Sequence, residues 1–144
     1  MIAVDTNLLV YAHRKDSVFH QRARDCIARL ARGAATWAIP WPCVHEFCAI
    51  ATHPRIYSPP TPLAVALDQI DAWLESPVFA VLAEADTHWS VLRDLLATGR
   101  IVGPQVHDAR IAALCLQHGV RELWTVDRDF GRYPRLTVVN PLVI

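Results

Sequence analysis

Short apolar runs alternate along this chain with longer stretches in which apolar residues recur every three or four positions. The short runs show little polar alternation, which is typical of strands covered on both faces of a sheet. Five of them predict strands, at residues 2–4 (IAV), 35–40 (ATWAIP), 78–82 (VFAVL), 122–126 (ELWTV) and 136–139 (LTVV). Strands that alternate with helices form parallel sheets, so the pattern predicts a fold of the α/β class.

The longer stretches predict amphipathic helices with identifiable ends. They cover residues 19–33, 41–52, 62–76, 88–99 and 108–118. Gly33 and Gly119 are typical residues at helix C-termini, and Thr61 and Thr87 are predicted N-caps. In the first of these helices the residues predicted to share one apolar face are Phe19, Ala23, Cys26, Ile27 and Leu30.

Length and composition favour one domain, residues 1–144, and give no sign of a membrane protein. Apolar residues make up 53% of the 144 and charged residues 19%, yet no apolar run approaches the roughly 18 to 20 residues of a membrane span. The start MIAVDTN has neither the basic residues nor the long apolar region of a signal peptide. We therefore expect a cytoplasmic protein, with some of its apolar surplus covered by a partner.

The cysteines and the net charge do not by themselves point to a ligand. Four cysteines without a CxxC pair predict reduced, mostly buried thiols. Cys43, His45 and Cys48 suit zinc in type but lack a second pair of ligands. Basic and acidic residues number 14 each, and every basic residue except Lys15 is arginine, whose planar fork suits phosphate.

Four acidic residues are predicted to meet at one edge of the sheet. Asp5 follows the first strand and Asp127 follows the fourth, so both lie at carboxyl ends, where parallel sheets bind ligands. Asp108 begins the helix that leads into the fourth strand. Glu46 lies one turn into the helix after the second strand and points back toward its start.

Each acid also has an ordinary structural explanation. Asp108 can stabilise a helix N-terminus, Asp127 can be a turn residue, and Asp129 can cap the short turn at Phe130. Glu46 is the hardest to explain in this way, because it lies on a helix whose other residues are mainly apolar, where an unpaired carboxylate is costly.

Together, the four acids indicate a divalent cation. Crowded carboxylates repel one another unless a cation neutralises them, and oxygen ligands of this kind favour Mg²⁺ or Mn²⁺. Two such ions can support hydrolysis of a phosphodiester. His107, beside Asp108, is a candidate general base, although a histidine that faces solvent at a helix start is the ordinary alternative.

Four motifs, in order along the whole chain, resemble PIN-domain ribonucleases and most closely the VapC toxins of bacterial toxin–antitoxin pairs. They are VDTN (4–7), EF (46–47), HDARIAAL (107–114) and WTVDRDF (124–130). The resemblance implies a three-layer α/β/α sandwich around a parallel sheet of about five strands. It further implies Mg²⁺ or Mn²⁺ dependence, endonucleolytic cleavage of RNA, homodimers and inhibition by a cognate antitoxin.

The resemblance also implies residue roles. Asp5, Glu46, Asp108 and Asp127 form the acidic quartet that binds metal, Thr6 and Asn7 orient the site, and Asp129 is an auxiliary acid. Relatives often carry a small hydroxyl residue shortly before the glutamate and an asparagine in the loop before the third acid. Here the corresponding segments are Trp41-Pro42-Cys43 and Gly103-Pro104-Gln105.

Other functions remain open at this point. A receiver-type phosphoacceptor requires paired acids after the first strand, and a haloacid-dehalogenase-like phosphatase requires DxD there, where this chain has Asp5-Thr6-Asn7. A housekeeping RNA-processing or DNA-cleaving PIN nuclease and a non-catalytic α/β binding module are the remaining alternatives. Trp41, next to the predicted edge, is a candidate for stacking on a flipped base, although a place in the core or an interface is the ordinary alternative for the five tryptophans. Helices 42–52 and 62–75 carry more apolar surface than one sheet face is expected to cover, so some of their apolar residues are predicted to meet another chain, which the resemblance implies is an antitoxin. These residues are Val44, Phe47, Ile50, Leu63, Leu67, Ile70 and Trp73.

Overall fold

The computed structural model describes residues 1–143 and contains a parallel sheet of five strands. The strands are β1 (Ile2–Val4), β2 (Trp37–Pro40), β3 (Phe79–Leu82), β4 (Glu122–Trp124) and β5 (Val138–Val139). Their order across the sheet is β3-β2-β1-β4-β5, and every neighbouring pair is parallel. All five predicted strands are present, so the α/β prediction is confirmed.

Six helices flank the sheet. They are α1 (Thr6–His13), α2 (His20–Arg32), α3 (Trp41–Ala51), α4 (Leu63–Leu74), α5 (His88–Gly99) and α6 (Gln105–Gln117). Helix α1 packs on α2 and α3, α3 packs on α4, and α5 packs on α6. None of the helices in residues 1–143 has the length and apolar character needed to cross a membrane.

Helix α1 is the element that the sequence pattern did not predict. The polar triplet after β1 only suggested the end of a strand, yet Asp5 is the N-cap of α1 and its side chain accepts the Thr6 N–H at 2.8 Å. A carboxylate at this position satisfies a backbone donor that has no partner within the helix. Asp5 is therefore held at the junction of β1 and α1.

Two other predicted helix starts were wrong. Helix α6 begins at Gln105, so Asp108 lies in its first turn and is not the residue that opens the helix. Pro62, and not Thr61, is the N-cap of α4; the buried Thr61 hydroxyl instead lies 3.2 Å from both His13 Nε2 and Arg14 Nη1. Thr87 does occupy the N-cap of α5, but its side chain makes no capping hydrogen bond.

Helix α3 is held in place by large apolar side chains. Phe47 is fully buried and meets the Trp73 ring edge-on, with centroids 4.8 Å apart. Burial of a side chain of this size contributes about 1.5 to 3 kcal/mol. These two residues are core, so they are not among those of the seven predicted apolar residues that remain available to a partner. Phe19, predicted to share the apolar face of α2, is the N-cap of that helix and is 40% exposed.

The strand order creates a crevice between β1 and β4. The chain runs outward from β1 to β2 and β3 on one side, and to β4 and β5 on the other, so the connections change direction at the β1–β4 pair. Ligands bind at such a switch point, outside the carboxyl ends of the strands. Val4 pairs with Trp124 in register, and the Asp5 N–H donates to the Trp124 carbonyl at 3.0 Å. Asp5 and Thr125 therefore lie side by side at the crevice.

Candidate active site

Asp5 is the most constrained acid at this edge. It is only 5% exposed, and its Oδ1 accepts from the Thr6 N–H at 2.8 Å and from the Cys43 thiol at 3.5 Å. Its Oδ2 accepts from the Thr125 hydroxyl at 2.7 Å and from Asn7 Nδ2 at 3.2 Å. Burial raises the pKa of Asp5 above its usual value and outweighs the lowering effect of these hydrogen bonds. The carboxylate is fixed in orientation but costly to ionise without a cation.

Thr125, which the sequence interpretation missed, connects the two strand ends. Its hydroxyl donates to Asp5 and accepts from the Asp127 N–H at 3.0 Å and from Asn7 Nδ2 at 3.1 Å. The Thr125 side chain is 1% exposed, so its hydroxyl would be costly to bury without these hydrogen bonds. Asn7 completes the connection because its Oδ1 accepts from the Val126 N–H at 3.3 Å. Asn7 thus contacts Asp5, Thr125 and the Val126 backbone, and its orienting role in the reaction stays a prediction.

Glu46 reaches the same edge from helix α3. It is half-buried, and its Oε2 accepts from the Thr6 hydroxyl at 2.9 Å. The next residue, Phe47, is buried in the core and fixes the helix there. Glu46 lies on the side of the helix that faces Thr6 and the crevice. Thr6 therefore contacts two acids, Asp5 through its backbone and Glu46 through its side chain.

The remaining three acids form a cluster, which we call the aspartate cluster: Asp108, Asp127 and Asp129. One carboxylate oxygen from each lies within 4.8 Å of the other two. Asp127 accepts the Asp129 N–H at 2.9 Å and caps the short 3₁₀ turn Arg128–Arg132. The cap of this turn is thus Asp127, and the suggested capping role of Asp129 was wrong.

All of the other predicted acids influence Asp108. Its pKa is raised to about 6, first by partial burial and then by the charges of Asp127, Asp5, Glu46 and Asp129, in that order. Each of these charges disfavours a further negative charge on Asp108. Asp108, Asp127 and Asp129 lie at metal-binding distance from one another, whereas Asp5 and Glu46, joined through Thr6, lie outside that group.

The ligand atoms of the aspartate cluster suit a hard divalent cation. The cluster offers carboxylate oxygens alone, which favour Mg²⁺ or Mn²⁺ over softer metals. The Tyr133 hydroxyl is buried without a hydrogen-bond partner, and its pKa is raised first by burial. The three charges of the aspartate cluster raise it further, and Arg132 opposes them. The negative charge of the aspartate cluster is consistent with a bound cation. The Tyr133 hydroxyl, without a hydrogen-bond partner in residues 1–143, is consistent with further ligands around such a cation.

The alternative zinc ligands do not come together. Over residues 1–143, the aspartate cluster is the only group of three or more His, Cys, Asp or Glu side chains with metal-binding proximity. Cys43 is fully buried and donates to Asp5, while His45 is exposed and stacks on Trp41. Burial raises the pKa of Cys43 well above its usual value, so the thiol stays protonated and remains a donor. Cys43 thus provides a donor in the segment where relatives often have a hydroxyl residue.

Gln105 has a role in the loop that leads into α6. Its Oε1 accepts from Arg132 Nη1 at 2.6 Å, which ties the start of α6 to the 3₁₀ turn after β4. The elements that carry Asp108 and Asp129 are therefore connected beside the cluster. His107 is exposed, in agreement with the solvent-facing alternative, and its role as a base stays untested.

Comparison with known proteins identifies the family. The sequence profile of the PIN domain matches residues 2–136. The chain belongs to the PIN-domain family. Among curated relatives, the VapC ribonuclease Mb2897 of Mycobacterium bovis is 33% identical over 99% of this chain and 96% of its own length. Ribonuclease VapC48 of Mycobacterium tuberculosis is 28% identical over 95% of this chain and 94% of its own length.

Solved structures of PIN-domain relatives have the same fold. A chain of VapBC2 from Rickettsia felis, bound to a promoter DNA fragment, superimposes with a TM-score of 0.65 at 21% identity over 96% of this chain and 98% of that one. A chain of VapBC-1 from nontypeable Haemophilus influenzae gives a TM-score of 0.67 at 18% identity over 98% of both chains. The predicted resemblance to PIN-domain proteins of the VapC type and the α/β/α fold are confirmed.

Proposed function

We propose that this PIN-domain protein is a metal-dependent endoribonuclease that cleaves RNA phosphodiester bonds and is the toxic component of a toxin–antitoxin pair. The observation that carries the proposal is the approach of Asp108, Asp127 and Asp129 to within 4.8 Å at the carboxyl edge of the sheet. Partial burial first, and then these acids with Asp5 and Glu46, raise the pKa of Asp108 to about 6. Curated relatives that match nearly the whole chain are named VapC ribonucleases, which supports RNA as the substrate.

The chain's own residues divide into ligands and residues that hold them. Asp5, Glu46, Asp108 and Asp127 would hold Mg²⁺ or Mn²⁺, with Asp129 as an auxiliary acid. A cation bound there would neutralise the acids, polarise the phosphate and stabilise charge on the leaving oxygen. Thr6 and Asn7, together with Thr125, keep Asp5 and Glu46 in a fixed orientation before RNA arrives. Such preorganisation reduces the rearrangement required during the reaction.

We infer that a cognate antitoxin covers the outer face of α4. Leu63, Val65 and Leu67 are 60%, 47% and 46% exposed, an unusual apolar surface for a helix. A cleft beside it is lined by residues 13–16 and 59–62. Structures of the same fold come from VapBC assemblies, which supports a protein partner of that kind. We also propose a homodimer, and a cytoplasmic location that suits the four free cysteines.

A cleavage assay with purified protein tests the activity. Single-stranded RNA is expected to be cut internally in Mg²⁺ or Mn²⁺ and to remain intact in EDTA, whereas DNA of the same sequence is not cut. Asp5→Asn and Asp108→Asn each remove most of the activity. Asp68→Asn, an exposed carboxylate on α4, is the matched control and stays active. Full activity in EDTA contradicts the metal mechanism, and cleavage of DNA alone favours a DNA-cleaving PIN nuclease.

Co-expression with the product of the neighbouring small gene tests the toxin role. A stable complex that no longer cleaves RNA supports it. A chain that stays unbound and active in the presence of that product points to a housekeeping nuclease. If the protein binds Mn²⁺ but cuts neither RNA nor DNA, it is instead a non-catalytic binding module.

A further inference from the structure

A pocket of about 430 Å³ lies at the carboxyl edge of the sheet, beside the candidate active site. We call it the Trp41 pocket. Its apolar walls include Trp41, Pro42 and the buried Leu82, and its polar groups are His45, Glu84 and Arg110. A concave, largely apolar pocket with a few polar groups is the usual form of a small-molecule or base-binding site.

Trp41 gives the pocket an aromatic face. The side chain is 38% exposed, although Trp37 and Trp73 are buried. Its ring stacks on His45, with centroids 5.9 Å apart and an interplanar angle of 23°. This packing limits the rotation of an exposed tryptophan. A flat, oriented aromatic face is suited to stacking with a nucleobase.

Arg110 brings a positive charge to the pocket without forming an ion pair within residues 1–143. The residue is half-buried, and its Nε has no accessible surface and no hydrogen-bond partner in the described part of the chain. An N–H donor that has lost water without gaining a partner, as the Nε–H of Arg110 has, is costly to the folded protein. The Arg110 guanidinium is explained if its remaining donors face a ligand rich in acceptors.

The pocket is built on the same elements as the acids. Helix α6 carries Asp108 and Arg110, and helix α3 carries Trp41 and Glu46. Ala38 of β2 is in register with Ala3 of β1, so Trp41, directly after β2, begins close to the level of Asp5. Neighbouring strands lie about 4.8 Å apart, so the pocket is one to two strand spacings from the crevice. A nucleotide adjoining the cleaved phosphate can span that separation.

We propose that the Trp41 pocket binds a guanine base of the RNA substrate next to the scissile phosphate. The inference rests on the proposed ribonuclease function. Arg110 donates to guanine O6 and N7, the pair of acceptors that arginine recognises most often. Glu84 accepts from the N1–H and the 2-amino group of the same base, and Trp41 stacks on its face. The acids thus cleave any phosphodiester, whereas this pocket selects where the cut falls.

Cleavage of an RNA library with a randomised segment tests the inference. For wild type, guanine is enriched on the order of 10- to 100-fold at one position beside the cut, the range expected for one well-placed bidentate contact. In Arg110→Met this enrichment disappears while other sequences are still cut. Trp41→Ala lowers kcat/KM and Trp41→Phe largely restores it. Arg93→Met, an exposed arginine on α5, is the control and keeps the wild-type preference.

Modified bases then identify the contacts. Replacing the preferred guanine by 7-deazaguanine removes N7, so cleavage by wild type falls, whereas Arg110→Met shows no further loss. Inosine lacks the 2-amino group that Glu84 is proposed to contact. Replacing the preferred guanine by inosine should therefore lower cleavage by wild type, with no further loss in Glu84→Gln. Equal guanine enrichment in wild type and Arg110→Met overturns the proposal.

A binding measurement separates failure of this inference from failure of the ribonuclease function. The cleavage-deficient Asp5→Asn protein is titrated with fluorescein-labelled UUGUU and UUAUU, with and without Arg110→Met. Preference for UUGUU that is lost in the double variant supports the pocket even if no cleavage is found. Equal affinity for both pentamers overturns it. A change in oligomeric mass in Trp41→Ala, with guanine preference intact, also overturns it and assigns the pocket to a protein interface.

Discussion

Replacing Asp108 by asparagine should stabilise the metal-free protein. In the folded state the pKa of Asp108 is about 6, against a usual value of 3.8, because partial burial and four neighbouring acids disfavour its charge. The folded protein therefore binds this proton more tightly than the unfolded chain does. The resulting penalty is absent below about pH 4, develops as pH rises toward 6, and is complete above about pH 7.

The size of the effect follows from the pKa. A difference of about two pH units corresponds to roughly 3 kcal/mol as an upper limit. Asp108 is only partly buried, so screening by solvent reduces this to about 1 to 1.5 kcal/mol. Asparagine keeps the shape of the side chain without the charge. We expect Asp108→Asn to raise the melting temperature at pH 8 in EDTA by about 3 to 5 °C.

Thermal and urea unfolding at pH 4.5 and pH 8, each in EDTA, would measure this effect. Asp68→Asn is the control for the substitution itself and should change stability by less than about 0.5 kcal/mol. Added Mg²⁺ should stabilise wild type more than Asp108→Asn, since the variant has lost one ligand. The reasoning is refuted if Asp108→Asn is no more stable than wild type at pH 8, or if the gain is as large at pH 4.5.

Three further predictions concern other parts of the molecule. Thr125→Val removes one of the two donors to Asp5 Oδ2 and the acceptor of the Asp127 N–H, so the free energy of unfolding should fall by about 1 to 3 kcal/mol in urea titrations, with a parallel loss of cleavage rate. Cys43→Ser keeps a donor to Asp5 and should retain most of the cleavage rate, whereas Cys43→Val removes it and should lose about tenfold. Leu67→Asp, on the exposed face of α4, should leave the melting temperature unchanged and weaken antitoxin binding by calorimetry, whereas Phe47→Ala should cost about 3 to 5 kcal/mol of stability.

The acids were predictable because a parallel sheet places all its carboxyl ends at one edge. Asp5 and Asp127 follow predicted strands directly, and Glu46 was conspicuous as a carboxylate on a mainly apolar helix. Proximity of the acids follows from topology, and for that reason it could be inferred without coordinates. Their assignment as metal ligands stays a prediction.

Helix α1 and Thr125 could not be predicted in the same way. Residues 8–10 are all buried, so α1 lacks the polar face that gives a helix its periodic pattern. Thr125 lies at the end of a strand, where a β-branched residue needs no special explanation. Its importance arises only from contacts with Asp5 and Asn7, which are distant in sequence.

The partner surface was predicted only in part, for a related reason. The apolar residues of a helix indicate that one side is buried. They do not show which of those residues are covered by the same chain and which stay exposed. Phe47 and Trp73 pack against each other in the core, whereas Leu63 and Leu67 on α4 face outward. Distinguishing these pairs requires the actual packing of α3 on α4.

The bond between Thr125 and Asp5 joins residues 120 positions apart, which has a consequence for synthesis of the protein on the ribosome. A nascent chain that ends before β4 contains Asp5, Glu46 and Asp108, but it lacks Asp127, Asp129 and the hydroxyl that fixes Asp5. Contacts of such long range form late, because their loop-closure entropy is met only when most of the chain is present. A cell that makes this protein is thus exposed to the assembled acids only after β4 and the turn that follows it have been translated.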